Sequence, residues 1–382
     1  MTALLDGVVV ADFSRVLAGP LATSMLADLG ATVIKVERPG LGDDTRHWGP
    51  PWTATTSAYF DSANRSKESI ELDLDDPADH SLAVEMMSTA DVVVENFRPR
   101  ALEAKGLGYA EMAVLNPELV YCSISGFGTA EGAVMPGYDF LVQAVGGLMS
   151  ITGDANNEPT KVGVALVDVL TSKDAVIGIL AALNERHASG VGQHVEVNLL
   201  SSLLGSLANQ ASSYLATGVA PVRMGNKHPS IAPYETLRCE DGTIAVCCGN
   251  DAQFGRLAAA LGRSELASDT RFARNADRVA HRAELVPLLE SSLATSPSER
   301  WIRLLTDVGV PAGAVGDIAS AFGLAAELGL APRVDVGSDA IDQVRHPITY
   351  SRTPVDNYRR PPRLGEHNDT VRARYSQKTR TS

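Results

Sequence analysis

Cysteine is scarce: the chain has four in 382 residues. Cys122, Cys239, Cys247 and Cys248 match no zinc-ligand spacing. Four thiols in so long a chain make no disulfide framework, which points to a reducing cytoplasm. Cys122 and Cys247 fall in apolar, strand-like runs, where a free thiol packs as a small hydrophobe. Long apolar runs are also missing. None reaches ~18 residues without a charge, so nothing reads as a membrane span. The opening, MTALLDGVVVADFSR, lacks the basic region and long apolar core of a secretory signal. There is no basic excess either. The formal net charge of −13 argues against a nucleic-acid partner. It leaves room for a small anion held by a local cluster of Arg and Lys. Neither G-x-G-x-x-G nor G-x-x-x-x-G-K-[ST] occurs, which discounts a nicotinamide dehydrogenase and a P-loop enzyme.

What is present is ordinary globular composition, 45% hydrophobic and 21% charged. The length exceeds a typical single core, so two domains are expected. Strand-like runs fall at 8–13, 31–37, 91–95 and 119–125. Helical segments separate them. AGPLATSMLADLG has Pro20 in its first turn and Gly30 at its end, and 77–90 is another. Such alternation implies βαβ units and a parallel sheet, with ligands at the carboxyl ends of the strands. The loops at those ends carry Arg15, Arg38, Arg46, Arg98, Arg100 and Lys105. Any one of these is ordinarily a solvated surface charge. Their recurrence at successive strand ends of an acidic protein fits a ligand with several phosphates.

The stretch GVALVDVLTSKDAVIGILAALNERHASGVG organises the chain. An extended run at 162–167 passes into a long apolar helix that ends near His187, with Gly190 and Gly192 beyond. Asp168 sits where the extended run turns helical. The positive end of the helix dipole favours its ionised form, and a positioned carboxylate can attack an activated carbonyl. Asp is also a preferred helix cap, so the stretch alone leaves both readings open. In GYDFLVQAVGG, Tyr138 and Asp139 could line a site, or Tyr138 could be a buried aromatic. Residues 195–216 read as a short strand and a Ser-rich apolar helix, suited to close packing against another subunit. After a linker at 218–229, 234–248 reads as a hairpin turning at Asp241-Gly242. Gly249 follows, where backbone could approach a ligand or merely turn. A helix at 297–310 and a return strand complete this part. The expected division is a large Rossmann-like domain at 1–200, a linker helix at 201–224, a small α+β domain at 225–330 and a return segment at 331–382. That tail shows little helical period, and its last residues are expected to be disordered. No internal repeat is visible.

Taken as an ordered set, these pieces resemble the class III CoA-transferase family, of CaiB/BaiF type, which includes formyl-CoA transferases and α-methylacyl-CoA racemases. The resemblance rests on DFSRVLAGPLATSMLADLGATVIKVERPGLGD, NRSKESIELDL, ADVVVENFRPRALEAKGLGY, GYDFLVQAVGG, VDVLTSKDAVIGILAALNERHASGVGQHVEV, GNKHPSIAPYETLRCEDG and PPRLGEH. It implies an α/β fold, a large Rossmann-like parallel-sheet domain with a small α+β domain, in a homodimer of two interlocked rings. It implies that Asp168 is the catalytic nucleophile, acylated first to an anhydride and then to an aspartyl-CoA thioester. It assigns CoA contacts to Val16, Ala18, Arg38, Leu72, Asn96, Phe97, Arg98 and Lys105. Oxyanion or site-lining roles fall to Leu17, Tyr138, Asp139 and Gly249. The substrates would be an acyl-CoA and a carboxylic acid. No metal and no permanently bound cofactor would be needed.

Two departures from the family pattern narrow the activity. Formyl-CoA transferases resemble this chain but carry Gln where it has Leu17, and a glycine-rich run where it has CGNDAQF, which argues against formyl or oxalyl transfer. The racemases carry His-Asp at the position of Tyr138-Asp139. A tyrosine with an ordinary pKa of ~10 is a poor base at neutral pH. The resemblance therefore favours a transferase for larger acids, with succinyl-CoA as donor, over an acyl-CoA racemase or a non-catalytic CoA-binding protein.

Overall fold

The computed structural model describes residues 3–337 and 339–378. The expected disorder of the last residues concerns positions outside that range. The chain divides into two compact units. The first is Met1–Leu148, Val162–Gly218 and the stretch from Ala331 onward; the second is Met149–Lys161 with Val219–Leu330. Residues 149–161 and 201–218 therefore lie elsewhere than the sequence division put them: the former in the second unit, the latter in the first.

In the first unit the strands are β1 (Val9–Asp12), β2 (Thr32–Glu37), β3 (Glu68–Glu71), β4 (Val92–Glu95), β5 (Val120–Ser125) and β6 (His194–Asn198). Among the described residues these six form one parallel sheet in the order β3-β2-β1-β4-β5-β6. The order reverses between β1 and β4, and in such sheets the ligand crevice opens there, beyond the strand carboxyl ends. The helices that matter to that edge are α1 (Ala18–Asp28), α2 (Ala58–Asn64), α3 (Pro77–Thr89), α4 (Tyr109–Leu115), α5 (Asp139–Val145) and α7 (Leu166–Ser189), the short α6 (Leu148–Ile151) lying between α5 and α7 in the chain. Residues of α1 and α7 share one core with β1, β4 and β5, while α3 and α4 cover the other face. A parallel sheet needs both faces covered, and its central strands are accordingly apolar throughout.

Helix α1 comes close to the loop before it. A Cβ on Gly19 would stand 2.2 Å from Ser14 Cβ, so only glycine fits. Beyond β6 the expected single helix is two, α8 (Leu199–Ser206) and α9 (Ala208–Thr217), with Ala208 at φ 46 between them. The extended run expected at 162–167 is not a strand. The sheet ends at β6, which pairs with β5, and the Val162 N–H goes to the Gln143 side chain at 2.9 Å. The tail contradicts its sequence reading as well. Residues Asn368–Lys378 are helical, and Val371 and Tyr375 bury themselves in the α3 face of the core.

The second unit holds a three-stranded antiparallel sheet of β7 (Tyr234–Arg238), β8 (Thr243–Cys247) and β9 (Ala312–Ala314). Its hairpin turns at Asp241-Gly242 as the sequence implied. Helix α10 (Asp251–Ala260) follows, capped by the Asn250 side chain on the Gln253 N–H.

Candidate active site

Asp168 is the third residue of α7. The residue before the helix is Ala165, which offers no side-chain cap. The cap comes from another element. Asp139, at the start of α5, accepts the N–H groups of Val167 at 2.8 Å and Asp168 at 3.2 Å through one oxygen. Its other oxygen accepts from Gln143 at 2.7 Å, and the buried Gln143 in turn holds the Val162 N–H. Asp168 is thereby relieved of the capping role that its type and position suggested.

The Asp168 carboxyl is half-buried, and among the described residues none donates a hydrogen bond to it. Its pKa is pushed up to about 7, first by burial and then by the charge of Asp139. The expectation that the helix dipole would favour the anion is thus reversed. A dipole contributes ~0.3–1 kcal/mol at an exposed terminus, and the loss of solvation outweighs it here. The result suits a nucleophile. The carboxylate is unencumbered and poorly solvated, and acylation would discharge it beside Asp139.

Tyr59 was not singled out from the sequence, where SAYFDSANRSK shows no distinguishing pattern. Its phenol is pushed up to about 12, by burial and then by Asp168, Asp139 and Asp43. Its ring meets Trp48 edge-on, with centroids 5.4 Å apart. The Tyr59 phenol therefore feels Asp168 and Asp139 on one hand and Asp43 on the other, and Asp43 lines a cleft.

That cleft, of about 360 Å³, opens beyond the carboxyl ends of β1, β2, β3 and β4. Its walls include Arg15, Lys35, Arg38, Leu72, Phe97 and Lys105, with Asp43, Asp73 and Asp75. Arg38, Leu72, Phe97 and Lys105 had been assigned to CoA, and the fold brings all four together. Arg15 joins them, its guanidinium 5.2 Å from the Phe97 ring centroid. Arg38 pairs with Asp44 at 2.6 Å, and Lys105 pairs with Asp75. Three cations beside an apolar slot suit a phosphorylated nucleotide.

Other assigned residues fall differently. Arg98 is exposed and does not line the cleft. Asn96 spends its side chain on the main chain of Arg15, donating to its carbonyl and accepting from its N–H, each at 2.7 Å. Arg46 is buried in a two-pronged pair with Glu37, at 2.7 Å on both arms. That corrects its grouping with ligand-facing cations. The Val16 N–H is directed at Asp43, at 3.3 and 3.2 Å from the two oxygens. Leu17 and Ala18 lie at the start of α1, where N–H groups have no intrahelical acceptor. Tyr138 is exposed, so the buried-aromatic reading does not hold. Gly249 belongs to the second unit, and its N–H donates to the Gln253 side chain at 2.7 Å. Among the described residues no group of three or more His, Cys, Asp or Glu is placed to hold a metal ion. None of the described helices is long and apolar enough to cross a membrane.

Comparisons with known proteins identify the family. The family model of CoA-transferase family III matches residues 5–368. The succinate–glutarate CoA-transferase of Agrobacterium fabrum is 42% identical over 99% of this chain and 97% of its own length. The acetyl-CoA:oxalate CoA-transferase of Acetobacter aceti is 42% identical over 84% of this chain and 82% of its own. A crystal structure of a CaiB/BaiF family protein from Brucella suis is 43% identical and superposes with a TM-score of 0.87, covering 98% of this chain and all of that one.

Proposed function

This chain belongs to CoA-transferase family III, and on that premise we propose that it moves CoA from succinyl-CoA to a second dicarboxylic acid through covalent intermediates on Asp168. The observation that carries the reading is the Asp168 carboxyl: half-buried, free of donors among the described residues, and poised to ionise near neutral pH. The nucleotide end of the thioester occupies the cleft, with Arg15, Arg38 and Lys105 on phosphates and Leu72 and Phe97 against the apolar parts.

An Asp168 oxygen attacks the thioester carbonyl, and the CoA thiolate leaves. The enzyme then carries a mixed succinyl–aspartyl anhydride. The thiolate returns to the aspartyl carbonyl and expels succinate, leaving an aspartyl-CoA thioester. The acceptor carboxylate attacks that thioester, forming a second anhydride and freeing the thiolate again. Attack of the thiolate on the acceptor's acyl carbon yields the new acyl-CoA and restores Asp168. Each tetrahedral step develops an oxyanion, and the N–H groups at the start of α1 are the donors within this unit. Water must be excluded, because it would hydrolyse either anhydride.

The succinate–glutarate relative is named for two dicarboxylates, which supports that acceptor class. The equally similar acetyl-CoA:oxalate relative runs against the sequence argument from Leu17 and CGNDAQF, so oxalate stays among the acceptors to be tested. The test is a matrix of succinyl-CoA and acetyl-CoA donors against glutarate, oxalate and monocarboxylates. Succinyl-CoA with a dicarboxylate should give the highest kcat/KM. Preference for a monocarboxylate, or α-hydrogen exchange in deuterated water with no acceptor present, would refute the reading. We also propose the interlocked homodimer. Leu204, Tyr214 and Leu215 of α8 and α9 stand exposed, an apolar face suited to a second subunit. Light scattering should return twice the 40.3 kDa chain mass, and a monomer would rule the dimer out.

A further inference from the structure

The turn between β1 and α1 holds one residue in a conformation its side chain disfavours. Val16 has φ 70, where a β-branched residue is an outlier. Such strain persists only where the surroundings over-determine it. The surroundings here are buried charges. Asp43 faces the Val16 N–H with both oxygens. Lys35 donates to Asp43 at 2.9 Å and to the carbonyl of Ser14 at 3.0 Å. Both side chains of this pair are wholly buried. Asp43 also accepts the N–H and hydroxyl of Thr45, so the carboxylate is itself fixed.

A buried ion pair is weak evidence for stability, since apolar residues of like volume commonly serve as well. Lys35 interrupts β2 among Val33, Ile34 and Val36, all buried and apolar. What this pair supplies, and two apolar side chains could not, is a grip on the main chain of residues 14–16. Directly after that grip, Leu17 and Ala18 open α1, which packs along α7.

We propose that Lys35 and Asp43 are positioning residues for acyl transfer: they hold Val16 in the left-handed conformation and so aim the first N–H groups of α1 at the carbonyl that Asp168 attacks. The proposal rests on the transferase reading and deepens it. Neither residue touches the reacting atoms. Both residues stand in the cleft wall, but their side chains are wholly buried, so their loss acts mainly on the chemical step while the solvent-facing Arg15, Arg38 and Lys105 keep their hold on the nucleotide.

The test replaces the pair together, Lys35→Met with Asp43→Leu, so that no charge is left buried alone. Succinyl-CoA acylation of Asp168 is followed in single turnovers by mass spectrometry, with the Kd for CoA measured by calorimetry. The acylation rate should fall about a hundredfold, as when an oxyanion donor is misplaced, and the Kd, read on the same cleft, should change by far less than the rate. Adding Val16→Gly should recover most of the rate, because glycine reaches φ > 0 without steric cost. A pair variant that acylates at the wild-type rate, or a Val16→Gly addition that recovers nothing, overturns the proposal. If the pair variant fails to fold, Asp43→Asn carries the same expectations on a smaller scale. If the wild-type enzyme itself forms no adduct on Asp168, the transferase reading has failed instead. A crystal structure of the variant then decides the positioning claim alone: Val16 must leave the left-handed region, and a φ still near 70 refutes it.

Discussion

At the scale of the residue, the account turns on one proton. Asp168 ionises near 7 instead of its ordinary 3.8 because burial and Asp139 disfavour the anion. Only the anion attacks, so acylation should rise with pH through about 7 and then level off, as read from single-turnover rates between pH 5 and 9. The same shift has a cost in stability. The folded state keeps a proton that the unfolded state has released between about 4 and about 7, so this group's contribution falls as pH rises through that window. Asp168→Asn should therefore stabilise the fold at pH 8, by roughly 2–4 kcal/mol on the usual conversion, with the gain shrinking toward pH 5. Urea melts of the two proteins at both pH values check the sign. The sequence indicated the residue but not its environment. Asp168 was legible because the aspartate ahead of a long apolar helix matched a family motif. Its raised pKa was not, because it depends on Asp139, some thirty positions earlier in the chain, and on a burial that no local pattern reports.

At the scale of the element, helix α7 begins with a borrowed cap. Asp139→Ala should lower stability by about 1 kcal/mol, the usual worth of a lost cap, and slow acylation, because Val167 and Asp168 would lose their acceptor. Asp139→Asn keeps an acceptor but removes the like charge, so the rise in rate should move to lower pH with stability nearly unchanged. The shift will be partial, since burial is the larger cause. The Arg and Lys content of the strand-end loops pointed to a shared basic site, and Arg38 and Lys105 do line one cleft. The same signal misled at Arg46, because composition does not show that Glu37 would take its guanidinium. Arg38→Ala should raise the KM for CoA esters well above any effect on the acceptor acid, and initial-rate kinetics on both substrates would show it. Edge strand β3 escaped the sequence reading for a physical reason. Its ESIE sequence is too polar to look buried until Arg374 pairs with Glu68 and Glu37 accepts from Ser69.

At the scale of the whole molecule, the alternation of strands and helices was enough to give a parallel sheet, and the 3-2-1-4-5-6 order puts its crevice where the basic loops lie. The tail helix Asn368–Lys378 was not legible, because its apolar contacts, Val371 and Tyr375, are too few to set a period. The proposed function joins two features of the first unit, the half-buried Asp168 carboxyl at the start of α7 and the basic cleft beyond the strand carboxyl ends. The most direct test mixes the enzyme with succinyl-CoA in the absence of acceptor, quenches with hydroxylamine and maps the modified peptide. The account predicts a hydroxamate on Asp168, absent from Asp168→Ala, which still binds CoA. Label on another residue, or undiminished transfer by Asp168→Ala, would contradict it.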